Sequence, residues 1–170
     1  ATQESKLLAQ PMAERIKNTF DTWQHTGAWN ELNRLPVDHF GIDHRREAPP
    51  ELSAAREAIL RSMVRLTVGH PQEWVRVDSL IGQIRRKDYQ FLFKRNEKRY
   101  FGENIYMYPS RTYGVSFTGI RDDASGWVRV EQAFIINVLT GPLAWLGAVE
   151  LGYGKEQQTG ENTVPQSFRL

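Results

Sequence analysis

From Trp127 to Leu139 the chain is apolar at helical spacing, and it then meets Gly141-Pro142. A helix this apolar cannot face water over most of its circumference, so it must lie in a core or an interface. Behind it come Leu143-Ala144-Trp145-Leu146-Gly147-Ala148-Val149-Glu150-Leu151, a polar stretch from Gly152 to Gln166, and Ser167-Phe168-Arg169-Leu170. That order reads as a helix followed by two short strands around a polar loop. Gly141 permits a backbone turn and Pro142 has no N–H to give the preceding helix, so the helix is expected to end there. Leu143, Trp145 and Leu146 are then expected to plug the base of the fold.

Upstream, Ser53 is a candidate N-cap for a helix that buries Ala55, Ile59, Met63 and Leu66, and Gly69-His70-Pro71 ends it. Trp74 to Val77 is extended, and Asp78 can cap a second helix carrying Leu80, Ile81 and Ile84. Helix, short strand, helix is the opening of a winged helix-turn-helix, and the C-terminal helix and strand pair are its close. The expected fold class is mainly α with a small β component. Residues 51–170 form the winged-helix domain, with an aromatic, β-rich insertion over 87–126 of two or three short strands.

Residues 1–50 form an N-terminal helical segment and linker. Ser5 to Phe20 reads as a helix interrupted by Pro11, with Leu7, Leu8, Met12, Ile16 and Phe20 near i, i+4 spacing. Trp29-Asn30-Glu31-Leu32 resumes a short helical turn, and Pro36 to Pro50 reads as loop.

Composition narrows function mostly by exclusion. The chain has 170 residues, enough for one domain with a substantial core. It has no cysteine, which removes disulfides, thiolate zinc sites and cysteine nucleophiles. Net charge is only +2, so attraction to nucleic acid would have to come from local clustering. With neither a secretory leader nor a membrane-length apolar run, an intracellular, cytoplasmic protein is expected. Phe168-Arg169-Leu170 looks like a strand barely begun, which suggests a fragment or a partner-dependent module of something larger.

Three patterns occur together: Trp23…Trp29-Asn30-Glu31-Leu32; Arg56-Glu57…Leu60 followed by Trp74-Val75; and Trp127-x-x-Val130-Glu131…Leu139-x-Gly141-Pro142-Leu143-x-Trp145-Leu146-Gly147 leading to Phe168-Arg169-Leu170. In combination the chain resembles the helicase-associated winged-helix regions found beside XPB-type helicases and in large bacterial relatives of unknown role. The resemblance covers most of the chain from about Trp23 onward, and Val130-Glu131 and Gly-Pro-Leu-x-Trp-Leu-Gly are its distinctive pieces. It implies an accessory, non-enzymatic domain linked with DNA transactions, and it transfers no functional residue. No Gly-x-x-x-x-Gly-Lys-Ser/Thr phosphate loop is present.

The sharpest candidate site is the stretch from Ile84 to Phe101, where Arg85, Arg86, Lys87, Lys94, Arg95, Lys98 and Arg99 stand against two acids. Phosphates need several cations in register, and exposed aromatics stack on unpaired bases. The same residues have a second reading, in which Tyr89, Phe91 and Phe93 form the inward face of a strand and the cations are solvated. Nucleic acid, without strong sequence preference, is thus one candidate partner. Another domain or subunit, docked on exposed aromatics, is the other.

The remaining candidates are weaker. His39 and His44 beside Asp38 and Asp43 have metal-ligand chemistry but no third or fourth ligand nearby, so no metal or other cofactor is expected. Asp122-Asp123 reads as a turn, the serines lack a nucleophile-elbow setting, and His25 and His70 sit at helix breaks. The wing loop offers Lys155 beside Glu156 and Glu161, poor equipment for gripping phosphate. Base readout by the third helix would fall to Arg129, Glu131, Gln132 and Asn137, a sparse polar set. Glu131, on so apolar a helix, is expected to be buried with a partner such as Arg111, Arg121 or Arg129, or against backbone.

Overall fold

The computed structural model describes residues 10–35, 40–42, 51–92, 115–117, 124–154 and 164–170, with the backbone alone at 40–42 and 115–117. The chain is mainly helical, with a small three-stranded antiparallel sheet.

Helix α1 spans Met12–His25 and is followed by a 3-10 turn at Glu31–Arg34. Pro11 sits at the N-cap of α1 and starts the helix where the spacing suggested an interruption. This suits proline, whose fixed φ and missing N–H are harmless at a helix start. Residues 5–9 lie outside the described residues. The 3-10 turn falls where a short helical turn was expected, and the side chain of Asn30 caps it by accepting from Leu32 N–H at 2.9 Å.

Strand β1, Phe40–Ile42, lies inside the segment read as loop. It pairs antiparallel with β3, Val115–Phe117, in the register Phe40↔Phe117, Gly41↔Ser116, Ile42↔Val115. Such a pairing is invisible to local pattern, because a strand of this length has too few residues to alternate.

Helix α2 covers Leu52–Thr67, strand β2 covers Val75–Arg76, and helix α3 covers Val77–Lys87. The expected caps are displaced. Glu51 occupies the N-cap of α2 and Arg76 that of α3, neither with a capping side-chain bond, so Ser53 and Asp78 fall inside their helices. Asp78 still sits in the first turn, where a carboxylate favours the helix dipole. Alternation also misled at Tyr89 and Phe91. Phe91 N–H donates to Asp88 C=O at 3.0 Å in a turn, so the two rings reach the core from a turn and not from a strand.

The C-terminal helical rod, residues 124–143, contains α4 at Ala124–Trp127, a π-helical turn at Val128–Gln132, α5 at Ala133–Val138 and a second π-helical turn at Leu139–Leu143. The apolar run is buried as expected: Trp127, Val130, Phe134, Ile135, Val138, Leu139 and Leu143 are fully enclosed. They pack with Ala55, Ile59 and Met63 of α2, Val77, Leu80 and Ile84 of α3, and Trp23, Leu32 and Leu35 from the N-terminal segment.

Gly141-Pro142 breaks the helix, as expected, and a second short helical segment then runs on from Pro142. The backbone leaves helical conformation at Gly141 (φ −100°, ψ −109°), so Pro142 stands at the start of the next segment, where its fixed φ and missing N–H are tolerated. That segment stops at Gly147, whose φ of 68° is left-handed. There Gly147 N–H donates to Ala144 C=O at 3.1 Å and Ala148 N–H to Leu143 C=O at 2.9 Å, the paired bonds of a Schellman ending. Leu143 is buried as expected. Trp145 is not part of the plug, being 58% exposed, because the helix continues past the kink and carries its ring to the surface.

Strand β4, Glu150–Gly152, and strand β5, Ser167–Arg169, complete the sheet, whose order is β2-β5-β4 with both pairings antiparallel. Phe168, in the central strand, is fully buried and stands opposite Val75 on one side and Leu151 on the other.

Candidate functional site

Of the seven cations singled out in the sequence, the structure describes three. Helix α3 buries Val77, Leu80, Ile81 and Ile84 on one face and ends in Arg85, Arg86 and Lys87. Cations there complement the negative end of the helix dipole, so they help the helix whatever else they do. Arg86 and Lys87 are exposed. Arg85 is half-buried, with its guanidinium 5.4 Å from the Trp127 ring centroid. That ring is fixed in turn: its Nε1–H donates to Tyr89 C=O at 3.0 Å and Tyr89 stacks on it at 5.9 Å. The three are therefore one cluster of unequal members, two free heads beside one held on an indole. Lys94, Arg95, Lys98 and Arg99 lie outside the described residues.

A second cationic cluster lies at the other end of the rod. Trp29 and Trp145 meet edge to face, centroids 5.3 Å apart at 89°. The guanidinium of Arg34 lies 5.0 Å from the Trp145 ring centroid and 5.9 Å from that of Trp29. It also passes close over Gly141: a Cβ there would sit 3.4 Å from its Nη1. A third stack is on the sheet, where Arg169 lies 5.0 Å over Trp74, but its charge is neutralised by Glu150, whose Oε2 accepts from Nε at 3.0 Å and Nη2 at 2.6 Å.

What positions the second cluster is a buried ion pair that sequence reasoning missed. Neither Glu31 nor Arg56 has any exposed side-chain surface, and Oε2 accepts from Nη2 at 2.8 Å. All five guanidinium N–H groups find acceptors. Nε donates to Glu31 Oε1 at 3.0 Å, Nη1 to the carbonyls of Trp23 at 2.5 Å and Thr26 at 2.8 Å, and Nη2 to the carbonyl of Trp29 at 2.6 Å besides the carboxylate. Trp23 Nε1–H completes the carboxylate at 2.7 Å, and its ring stacks 5.1 Å beneath the guanidinium. Asn137 of the rod donates to Glu31 C=O at 3.3 Å. The bend between α1 and the 3-10 turn is thereby tied to α2 and to the rod. Arg56 lies within the apolar stripe of α2, and that misplaced charge was the available signal.

Glu131 is fully buried, as the sequence required, and it is not without a partner. His25 Nδ1 lies 2.8 Å from Asp21 C=O at the end of α1, and His70 lies in the turn after α2 at 3.2 Å from Glu73. The histidine–aspartate group at 38–44, Asp122-Asp123 and the wing-loop charges 155–161 lie outside the described residues. Among the described residues no three His, Asp or Glu side chains gather around a point where a metal could sit. Among them, too, no helix is long and apolar enough to cross a membrane. A shallow groove of about 410 Å³ runs between Arg76, Asp78, Val164 and Gln166, but Arg76 and Asp78 pair across it at 3.0 Å and offset each other's charge.

No family model, curated protein sequence or solved structure matches this chain.

Proposed function

We propose that this chain is a winged-helix accessory module of a DNA-processing protein, non-enzymatic, that binds nucleic acid without strong sequence preference. The observation that carries the reading is topological. Helix α2, strand β2, helix α3, the helical rod and strands β4 and β5 follow one another in a winged helix's order, and the last strand lies between the other two. The likeness to helicase-associated winged-helix regions belongs to the same proposal.

The rod's residues explain why sequence readout is not part of it. Of its polar side chains Glu131 is buried and Asn137 is engaged on the Glu31 carbonyl, which leaves Arg129 exposed and Gln132 half-buried, too sparse a set to read bases. Contacts are instead assigned to the phosphate backbone through Arg85, Arg86 and Lys87, extended by Lys94, Arg95, Lys98 and Arg99. Phosphate contacts displace condensed counterions, so affinity falls steeply with salt. Fluorescence anisotropy with labelled single- and double-stranded DNA and RNA at two salt concentrations tests this. Salt-sensitive binding to strands of unrelated sequence supports it, and absence of binding at low salt refutes it.

A second reading, docking of another domain or subunit, is favoured by a separate observation. Met12 and Ile16 are 63% and 40% exposed on the same face of α1 that buries Trp23. An apolar stripe of this kind is a common anchor for a partner helix.

A further inference from the structure

The cluster of Trp29, Arg34 and Trp145 has features that core packing does not call for. Arg34 is exposed, and among the described residues it has no hydrogen-bond acceptor and no carboxylate partner. The acid nearest to it in sequence, Glu31, is wholly taken by Arg56 and Trp23. Trp145 leaves 58% and Trp29 37% of their surface in water, although the two rings meet edge to face.

The platform is also rigid. Asn30 caps the turn that carries Arg34, Leu35 N–H donates to Leu32 C=O at 3.1 Å, and the carbonyl of Trp29 is held by Arg56 at 2.6 Å. A ligand meeting it would spend little free energy on ordering the backbone beneath Trp29 and Arg34.

We propose that this cluster is a site for an unpaired nucleotide, with the base stacked on the exposed indole of Trp145 and the neighbouring phosphate on Arg34. Flat, accessible indoles take any base because every base has a π face. A guanidinium already stacked on an indole keeps its N–H edge for phosphate oxygens. In a duplex the base faces are hidden in the stack, so this site selects single strands, whereas the phosphate contacts at the end of α3 do not. The inference rests on the nucleic-acid reading above and adds to it a second contact and a strand preference.

The test titrates the full chain with oligothymidylate and, separately, with a duplex of equal length, reading intrinsic tryptophan emission and labelled-strand anisotropy. Oligothymidylate is expected to quench emission saturably. Trp145→Leu is expected to remove most of that quenching, and Trp145→Leu and Arg34→Gln each to raise Kd roughly ten-fold. Binding of oligothymidylate by both variants as tightly as by the parent overturns the inference, as does equal quenching by duplex and single strand. Arg86→Gln/Lys87→Gln separates the two proposals. If that double variant loses binding while Trp145→Leu and Arg34→Gln retain it, the accessory-module reading stands and this site falls. If no strand binds the parent at low salt, both fall. A carboxylate-bearing peptide that competes in the parent and still binds Trp145→Leu would reassign Arg34 to a protein partner. Arg34→Gln also takes the cation off the Trp145 ring, so thermal melts check that each variant is folded.

Discussion

Glu31 and Arg56, twenty-five positions apart in the chain, are joined in the core at 2.8 Å with neither side chain reaching solvent. The pair does more than neutralise charge. Arg56 also holds three backbone carbonyls, of Trp23, Thr26 and Trp29, in a bend that has few other partners.

Removing the arginine therefore leaves both a buried carboxylate and orphaned carbonyls. Arg56→Met is expected to destabilise the chain by about 3–5 kcal/mol, measured by urea unfolding. Apolar replacement of both partners does not restore stability, since the three carbonyls stay without donors. Arg56→Lys also fails, because an ammonium lacks the planar five-donor fork. A parent-like midpoint for Arg56→Lys would contradict this.

Glu150 and Arg169 provide the contrast. They pair at 2.6 Å, but with side chains 64% and 33% exposed. Glu150→Gln is expected to cost less than about 1 kcal/mol, and less still in high salt. Thermal melts at two salt concentrations compare the two pairs directly.

Gly152 tests the sheet. A Cβ there would collide with Ser167 Oγ and stand 3.2 Å from the Trp74 ring. The hydroxyl can rotate away, but the ring carries Arg169 over its face and has less freedom. Gly152→Ala is expected to destabilise by about 1–3 kcal/mol and to shift Trp74 emission, with Ser167→Gly recovering only part of the loss. An unchanged melting temperature would mean that the strands are looser than described.

The cations at the end of α3 differ in kind. Arg86→Gln and Lys87→Gln are each expected to lower the salt slope of nucleic-acid binding by about one, with a stability cost limited to the helix-dipole contribution of roughly 0.3 kcal/mol. Arg85→Gln is expected to cost stability as well, about 0.5–1 kcal/mol, because its guanidinium rests on Trp127. Equal stability effects at all three positions would remove that distinction.

Much of the fold was legible because long apolar spacing is hard to satisfy in more than one way. The stripes at Ala55, Ile59 and Met63, at Leu80, Ile81 and Ile84, and through Val130 to Leu139 each fell on a buried face. Boundaries were less legible. Gly141-Pro142 breaks the helix as its residues suggest, but the short segment that follows, ended by Gly147, left no sign in the sequence. The pairing of Glu31 with Arg56, and the meeting of Trp29 with Trp145, depend on tertiary approach and leave no periodic trace. Three of the seven expected cations, Arg85, Arg86 and Lys87, could be placed from the amphipathic pattern of α3 alone.

The most direct measurement is an amide chemical-shift map of the full chain titrated with a short DNA duplex at low salt. Shifts are expected to concentrate on Arg85, Arg86 and Lys87 and to fade as salt rises, with the buried face of the rod undisturbed. Absence of shifts at any salt, or shifts confined to Met12 and Ile16, would contradict this.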